Sequence, residues 1–226
     1  MPPHNKKIEA YLDCVSPYSF YAFSYLRKNR VALQSLGVEV EFIPVFLGGI
    51  NVVSGNKPPW TLPAKAKYSA YDNKRAQKYF GLKFETPDFF PILSLLPNRC
   101  LTYLKQKRSR KFEDLFQSCF ESLWIDHLDL GKPVHMMTSL CKVFNKEEAE
   151  EVLKAAQAPD IKQALNDVTR HVVEDLGAFG CPWFWVHDDL GNAEPFFGSD
   201  RFHYMWDYLR LPHRDLELQN PVSGKL

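Results

Sequence analysis

Apolar and polar positions alternate from Lys6 to Leu12. Ile8, Ala10 and Leu12 fall on one side, Glu9 and Tyr11 on the other, which is the period of a strand. A short turn, Asp13 to Ser16, follows. Pro17 directly behind a serine opens a helical pattern, with Tyr18, Tyr21, Ala22, Tyr25 and Leu26 along one side, predicted to run to about Leu36 before Gly37 stops it. Val38, Val40 and Phe42 alternate with Glu39 and Glu41, so Val38 to Pro44 reads as a second strand. Strand, helix, strand in so short a stretch is a βαβ unit, which implies a parallel pair.

Val45 to Pro63 is rich in Gly, Asn and Pro and reads as a long loop, a length that inside a compact domain usually serves function. Helical periodicity dominates from Ala64 to Leu176. Its clearest stretch is Phe112 to Leu128, where Phe112, Leu115, Phe116, Cys119, Phe120, Leu123 and Trp124 recur at three and four spacing. Asn145 with Glu148 three residues on forms a capping box, and Pro159 to Leu176 is a further helix ended by Gly177. Near the end the period changes to a hairpin, Trp183 to His187 paired with Ala193 to Phe197 across an Asp-Asp-Leu-Gly-Asn turn, and Ser199 to Leu209 reads as a last helix. The order βαβ, helical stretch, ββα predicts an α/β, thioredoxin-like fold with an all-helical domain inserted after the second strand. The expected parts are 1–62 with 177–226, and 63–176.

Composition narrows the function. The chain has 226 residues, 45% apolar and 24% charged, an ordinary globular balance. Lys plus Arg number 28 against 27 Asp plus Glu, a net charge of +1, so no whole-molecule field gathers nucleic acid or anionic membrane. No stretch approaches the roughly 18 apolar residues of a spanning helix. Five scattered cysteines argue against a disulfide framework and for a reducing compartment. The histidines lack metal-ligand spacing, so no metal is expected, and Gly48-Gly49 lacks the Lys-Ser/Thr of a phosphate loop. Lys105, Lys107, Arg108, Arg110 and Lys111 read as a solvated connection between helices. Phe89, Phe90, Phe120 and Trp124 read as core, some of them lining an apolar substrate cleft.

The sharpest chemistry is Ser16-Pro17-Tyr18-Ser19, at the end of the first strand where the helix begins. A thioredoxin layout places Cys-x-x-Cys there, and the helix N-terminus lowers a thiol's pKa. With serine at both positions the turn cannot exchange dithiols. Two readings stand side by side: an ordinary N-cap serine, or a donor that binds a thiolate brought from outside. Three further segments favour the second: Ser54-Gly55-Asn56-Lys57-Pro58-Pro59, Gly177-Ala178-Phe179-Gly180-Cys181-Pro182 just before the hairpin, and Phe197-Gly198-Ser199-Asp200-Arg201 at the last helix. In this layout the second carries a cis-proline facing the first turn. The third offers a helix N-terminus to a carboxylate.

With these four motifs, in family order and at family spacing, the chain from Ile8 to Leu211 resembles the kappa class of glutathione S-transferases, which is similar to the disulfide oxidoreductase DsbA and to 2-hydroxychromene-2-carboxylate isomerases. The resemblance implies that Ser16 is the catalytic serine, donating to the glutathione sulfur beside Pro17 and Tyr18. It implies that Asn56 binds the tripeptide, with Lys65 at its glycyl end. The Cys181 main chain before Pro182 pairs with the cysteinyl backbone, and Ser199 and Asp200 hold the γ-glutamyl carboxylate and amine. The expected activity is conjugation of glutathione, as co-substrate, to hydrophobic electrophiles. A glutathione-dependent isomerase of the chromene-carboxylate type and a non-catalytic glutathione- or peptide-binding adaptor are the alternatives. A free thiol has a pKa near about 8.5, so a shift of about two units, worth about 2.7 kcal/mol, makes most of it thiolate at neutral pH. One charge-assisted hydrogen bond and a helix N-terminus supply about that much.

Cys181 departs from the family pattern, which has an aliphatic residue before the cis-proline. Its thiol either faces the bound sulfur, where oxidised glutathione would cap it as a mixed disulfide and inhibit, or points into the core as a small hydrophobe. The resemblance also implies a homodimer; no nucleic-acid or membrane partner is expected. The terminal Gly224-Lys225-Leu226 approaches the peroxisomal Ser-Lys-Leu signal but misses its first position, and the Lys6-Lys7 region is a poor transit peptide. The expected location is a reducing intracellular compartment, with peroxisome, mitochondrion and cytoplasm all open.

Overall fold

A computed structural model describes residues 5–214, so Gly224-Lys225-Leu226 lies outside the described residues. Four strands form one mixed sheet in the order β2-β1-β3-β4. β1 (Lys6–Leu12) runs parallel to β2 (Val38–Pro44), with Lys6 opposite Val38 and Leu12 opposite Pro44. β3 (Trp183–His187) lies antiparallel on the other side of β1, and β4 (Ala193–Phe197) antiparallel outside β3. The alternation of each strand therefore gives the sheet two faces, and helices cover both.

One face carries Ile8, Ala10, Leu12, Phe184 and Val186, all fully buried, beneath α1 (Pro17–Lys28) and its Phe20, Phe23 and Leu26. From the other side of α1 comes α6 (Phe112–Trp124). Its Phe116 and Phe120 rings stack at 5.2 Å, and Phe120 stacks on Phe20 at 5.0 Å. Each such ring contributes about 1.5–3 kcal/mol by leaving water. The opposite face carries Tyr11, Ile43 and Trp183 against α3 (Leu47–Ser54) and α9 (Pro159–Glu174), with Ile50 and Val172 buried between. Between α3 and β3 the chain adds a short 3-10 turn (Pro59–Thr61), then α4 (Pro63–Phe80), α5 (Leu95–Gln106), α6, α7 (Pro133–Leu140), α8 (Lys146–Ala155) and α9. This is a thioredoxin-like sheet with a helical insertion after the second strand. The capping box of α8 is present, Asn145 Oδ1 accepting from Glu148 N at 2.9 Å and Glu148 Oε2 from Asn145 N at 3.1 Å.

Three expected boundaries move. The first helix breaks at Asn29, whose side-chain amide donates to the Tyr25 carbonyl at 2.8 Å and caps α1; a separate α2 (Arg30–Ser35) follows. The expected loop Val45–Pro63 contains the helix α3. Its Gly-Gly pair reads locally as a breaker, yet a Cβ on Gly49 would lie 3.0 Å from Thr169 Cγ2, so glycine is what lets α3 approach α9. The helix of the clearest periodicity ends at Trp124 rather than Leu128. The basic run divides too. Lys105 leaves α5 to meet Glu41 of β2 at 2.5 Å, and Lys111 meets Glu148 at 2.9 Å, so both tie elements together.

Candidate active site

Ser16 sits where β1 gives way to α1. Its backbone is extended (φ −93°, ψ 119°), its N–H donates to Asp13 O at 3.0 Å, and its Oγ accepts from Ser19 N at 3.2 Å. It is thus an N-cap, and the same hydroxyl donates to the Cys181 carbonyl at 3.1 Å, across 165 positions of sequence. A simple cap needs no such partner. The first turn of α1 holds no acidic side chain, so nothing on that turn offsets the positive end of the helix dipole beside Ser16.

The Ser16 turn, the Asn56 loop and the Gly198 turn are all tied to the segment 179–182. The Cys181-Pro182 peptide is cis. Gly198 N donates to Pro182 O at 3.1 Å, which sets Ser199, 3% exposed, and Asp200 next to it. Asn56 Nδ2 donates to Phe179 O at 2.6 Å, which lays the loop after α3 over the segment leading to Cys181. Gly198 adopts φ +91°, and a Cβ there would stand 2.7 Å from Asp200 Oδ1; only glycine lets that carboxylate fold back. Asp200 pairs with the Arg201 guanidinium at the surface. The expected helix N-terminus is displaced, because α10 (Phe202–Tyr208) starts at Phe202 and leaves Ser199-Asp200 in the turn before it.

Tyr18, on the first turn of α1, donates its hydroxyl to Asp72 Oδ2 of α4 at 3.0 Å, and Tyr68 donates to Oδ1 at 3.2 Å. Burial pushes the Tyr18 phenol up, and Asp72, with Asp200 adding to it, pushes further. Asp72 is thus bonded to Tyr18 at the first turn of α1, and nothing in the sequence pattern singled it out. Lys65 stands apart. It is exposed near the start of α4, its carbonyl accepts from Ser69 Oγ at 2.8 Å, and no ion pair among the described residues ties its ammonium to the other site residues.

Of the two placements for Cys181, the structure has the one in the core. The residue is 7% exposed and belongs to the cluster of Tyr11, Ile43, Val45, Ile50, Val172 and Trp183. Burial pushes its thiol well up, and the charge of Asp13 adds to it. A protonated, enclosed thiol is a poor nucleophile, which argues against the mixed disulfide. What Cys181 offers the site is its carbonyl.

Asp13 is the residue that sequence reasoning passed over as part of a turn. It is fully buried. Its Oδ1 accepts from Val15 N at 3.0 Å, and its Oδ2 from Leu47 N and from Ser94 Oγ, both at 2.7 Å. Burial pushes its pKa up against those donors. One carboxylate thereby fixes the Ser16 turn, stands in for the missing side-chain cap at the N-terminus of α3, and holds the start of α5. An acid lodged between Leu12 and Cys14 at the end of an apolar strand was the available signal. Trp124 is a second anchor, its Nε1 donating to Cys14 O at 2.9 Å. Among the described residues no group of three His, Cys, Asp or Glu side chains is arranged to hold a metal, and no helix is long and apolar enough to cross a membrane.

Comparison with known proteins agrees with this fold. The DSBA-like thioredoxin domain family matches residues 7–210. "Glutathione S-transferase kappa 1" of Caenorhabditis elegans is 31% identical over 225 residues, 93% of each chain. The human "Glutathione S-transferase kappa 1" is 28% identical over 211 residues, 91% of each. Among solved structures a 2-hydroxychromene-2-carboxylate isomerase superposes with a TM-score of 0.70 at 19% identity, covering 90% of this chain and 94% of that one, a likeness of fold.

Proposed function

The chain belongs to the DSBA-like thioredoxin-domain family and, within it, to the kappa-class glutathione S-transferases, and on that premise we propose that it binds glutathione at the Ser16 turn and transfers it to hydrophobic electrophiles. The observation that carries the assignment is the Ser16 hydroxyl, set at the N-terminus of α1, whose first turn holds no acidic side chain, and hydrogen-bonded to the main chain before a cis-proline.

The Cys181 carbonyl accepts the Ser16 proton in the free chain. When the cysteinyl N–H of glutathione takes that carbonyl, the hydroxyl is released to turn its proton onto the sulfur. Binding and activation are then coupled through one acceptor. The thiol proton goes to solvent, the thiolate held by Ser16 and the α1 dipole forms a C–S bond at the electrophilic carbon, and the leaving group departs with its electron pair. Asn56, already seated on Phe179 O, closes over the tripeptide from the α3 loop. Ser199 and Asp200 receive the γ-glutamyl end, with Asp72, bonded to the Tyr18 hydroxyl, as a further acceptor for its amine. Lys65, exposed near the start of α4, supplies a cation for the glycyl carboxylate.

Two measurements test the reading. Ultraviolet absorbance of thiolate, titrated with protein and glutathione together, should give a bound-thiol pKa well under the free value. Product analysis should show one glutathione consumed per product. An unshifted pKa would remove the activation step, and glutathione conserved through turnover would replace transfer by isomerisation.

We further propose that the chain is a homodimer joined through α4. None of the 18 residues of that helix is buried, and Tyr68, Tyr71 and Tyr79 are 58%, 59% and 80% exposed. Its inner face, Asp72, Ala76 and Phe80, is only half-buried against α1, and the tyrosines on its outer side have no cover within the chain. Light scattering at micromolar concentration should give twice the chain mass, and a monomer's mass for Tyr71→Glu; a monomer in the unaltered chain overturns the proposal.

A further inference from the structure

Three helices begin at one buried carboxylate. The Oδ2 of Asp13 accepts from Leu47 N, the first residue of α3, and from Ser94 Oγ, directly before α5, both at 2.7 Å. Its Oδ1 accepts from Val15 N at 3.0 Å, two positions before Pro17 opens α1. A helix start carries the positive end of a dipole, so the carboxylate sits where three of them meet. Two of the three donors are N–H groups, which cannot accept the proton of a neutral acid, and the pattern is that of an ionised carboxylate. Asn98, fully buried on α5, stands close enough for its amide to favour the charge further.

Among the described residues no cation is paired with that charge. α3 carries no charged side chain. Of the α5 cations, Lys105 pairs with Glu41, and Arg99 makes no ion pair among the described residues. The titratable groups that face Asp13 are thiols: Cys14 beside it, Cys181 from the cis-proline segment and Cys119 from α6. Burial pushes all three up, so they stay protonated at neutral pH. Around the place of the glutathione sulfur the other titratable groups are Tyr18, pushed up by burial and Asp72, and the surface pair of Asp200 and Arg201.

The Asp13 charge reaches that place from two sides. Val15, held by Oδ1, is the neighbour of Ser16, whose N–H donates to Asp13 O at 3.0 Å. Cys181, whose carbonyl takes the Ser16 proton, feels the same charge. The helix start that favours a thiolate at Ser16 is therefore already shared with a fixed anion.

We propose that Asp13 is a positioning residue of the transfer reaction: its buried charge opposes ionisation of the bound thiol and keeps the thiolate basic enough to attack. This rests on the glutathione reading above. Nucleophilicity falls as a thiol becomes more acidic, and the best attacking thiol titrates near the ambient pH. Ser16 and the α1 dipole bring the thiol down toward neutrality, and Asp13 stops it from going further.

Two measurements test this. Asp13→Asn keeps an acceptor oxygen and loses the charge. Ultraviolet titration should put its bound-thiol pKa about one pH unit below that of the unaltered chain, the effect of removing one like charge. The acid limb of kcat should move down with it, while the plateau near pH 9 falls about threefold, as for a less basic thiolate. A purely structural role moves the thiol the other way, toward its free value, as the turn loosens. That result, or an unchanged pKa, overturns the proposal. The second measurement needs no variant, because linkage is reciprocal: an anion at the sulfur's place must raise the Asp13 pKa. Aspartate side-chain carbon NMR, assigned through the backbone, compares complexes with glutathione sulfonate, anionic at sulfur throughout, and S-methylglutathione, neutral there. Asp13 should titrate about one pH unit higher in the first. Equal titration in both, or an Asp13 that is not ionised at pH 7 in the free chain, overturns the proposal and leaves the glutathione reading standing. If calorimetry shows that neither peptide nor glutathione binds, the glutathione reading fails and this inference fails with it.

Discussion

The two sides of the cleft are built by opposite means. On the Ser16 side the elements are tied to one another across the sequence, through main-chain groups in Ser16 to Cys181, Asn56 to Phe179, Gly198 to Pro182 and Asp13 to Leu47, and between side chains in Asp13 to Ser94. On the α4 side, Trp60, Leu62, Tyr68 and Tyr71 are all more than 40% exposed, and no residue of α4 is fully buried. A site for one fixed tripeptide profits from donors and acceptors that need no reorganisation. A site for varied electrophiles, and a surface for assembly, need only apolar area and can be redrawn by changing single side chains. The contrast places chemistry in the tied half and selectivity in the open half.

The strongest way to break the contrast is to remove the donor that the tied half presents. Ser16→Ala should lose about 10- to 1000-fold in kcat/KM at pH 7, the range for one charge-stabilising donor. Its bound-thiol pKa should rise toward the free value. The lost cap should cost only about 1 kcal/mol of stability. A bound-thiol pKa that stays put in the variant would reduce Ser16 to a cap.

Asp13→Ala strips acceptors from Val15 N, Leu47 N and Ser94 Oγ inside the protein. Urea unfolding should show a loss of about 3–5 kcal/mol, since buried donors left unpaired each cost about 1–3 kcal/mol. Asp13→Asn, which keeps one acceptor oxygen, should lose less. Equal midpoints for Asp13→Ala and the unaltered chain would mean the tied half does not depend on its central carboxylate.

Asn56→Ala releases the loop from Phe179 at an exposed hydrogen bond. Glutathione affinity by calorimetry should fall about fivefold, equivalent to about 1 kcal/mol. An unchanged affinity would remove the loop from the tied half.

The smallest effect sits farthest from the cleft. Burial pushes Glu41 up, but the hydrogen bonds and charges of Lys105 and Lys7 outweigh it, and its pKa lies below the ordinary 4.5. Its contribution is therefore present above pH 4.5 and lost as pH falls through the lowered value. Comparing unfolding at pH 6 and pH 3, the unaltered chain should lose up to about 1 kcal/mol more than Glu41→Gln, the worth of a partly exposed pair. A parallel loss would show that the bridge between β2 and α5 is idle.

The elements were legible where local chemistry decides them. Period-2 alternation marked β1 and β2, the Asn145 capping box marked α8, and Pro17 behind Ser16 marked α1, because each rests on neighbours within a turn or a pleat. The four site motifs were legible for the same reason: serine for cysteine at a helix start, glycines and prolines at tight turns, and an Asp after Gly-Ser are local choices. What stayed hidden was set by partners distant in the chain. α3 looked like a loop because its N-terminus is capped by Asp13, 34 positions away, and its glycines answer to Thr169. Cys181 had two placements open until the β3 segment packed its side chain among Ile43, Ile50 and Val172 and turned its carbonyl to Ser16. Sequence by itself determined the order of strands and helices along the chain and marked the candidate site residues. Only the tertiary structure decided that the Cys181 side chain lies in the core, that Asp13 binds the turn to two helices, and that Trp60 reaches Trp124 through Phe90. Those outcomes depend on burial and on hydrogen bonds closed across more than 30 positions, which no local periodicity encodes.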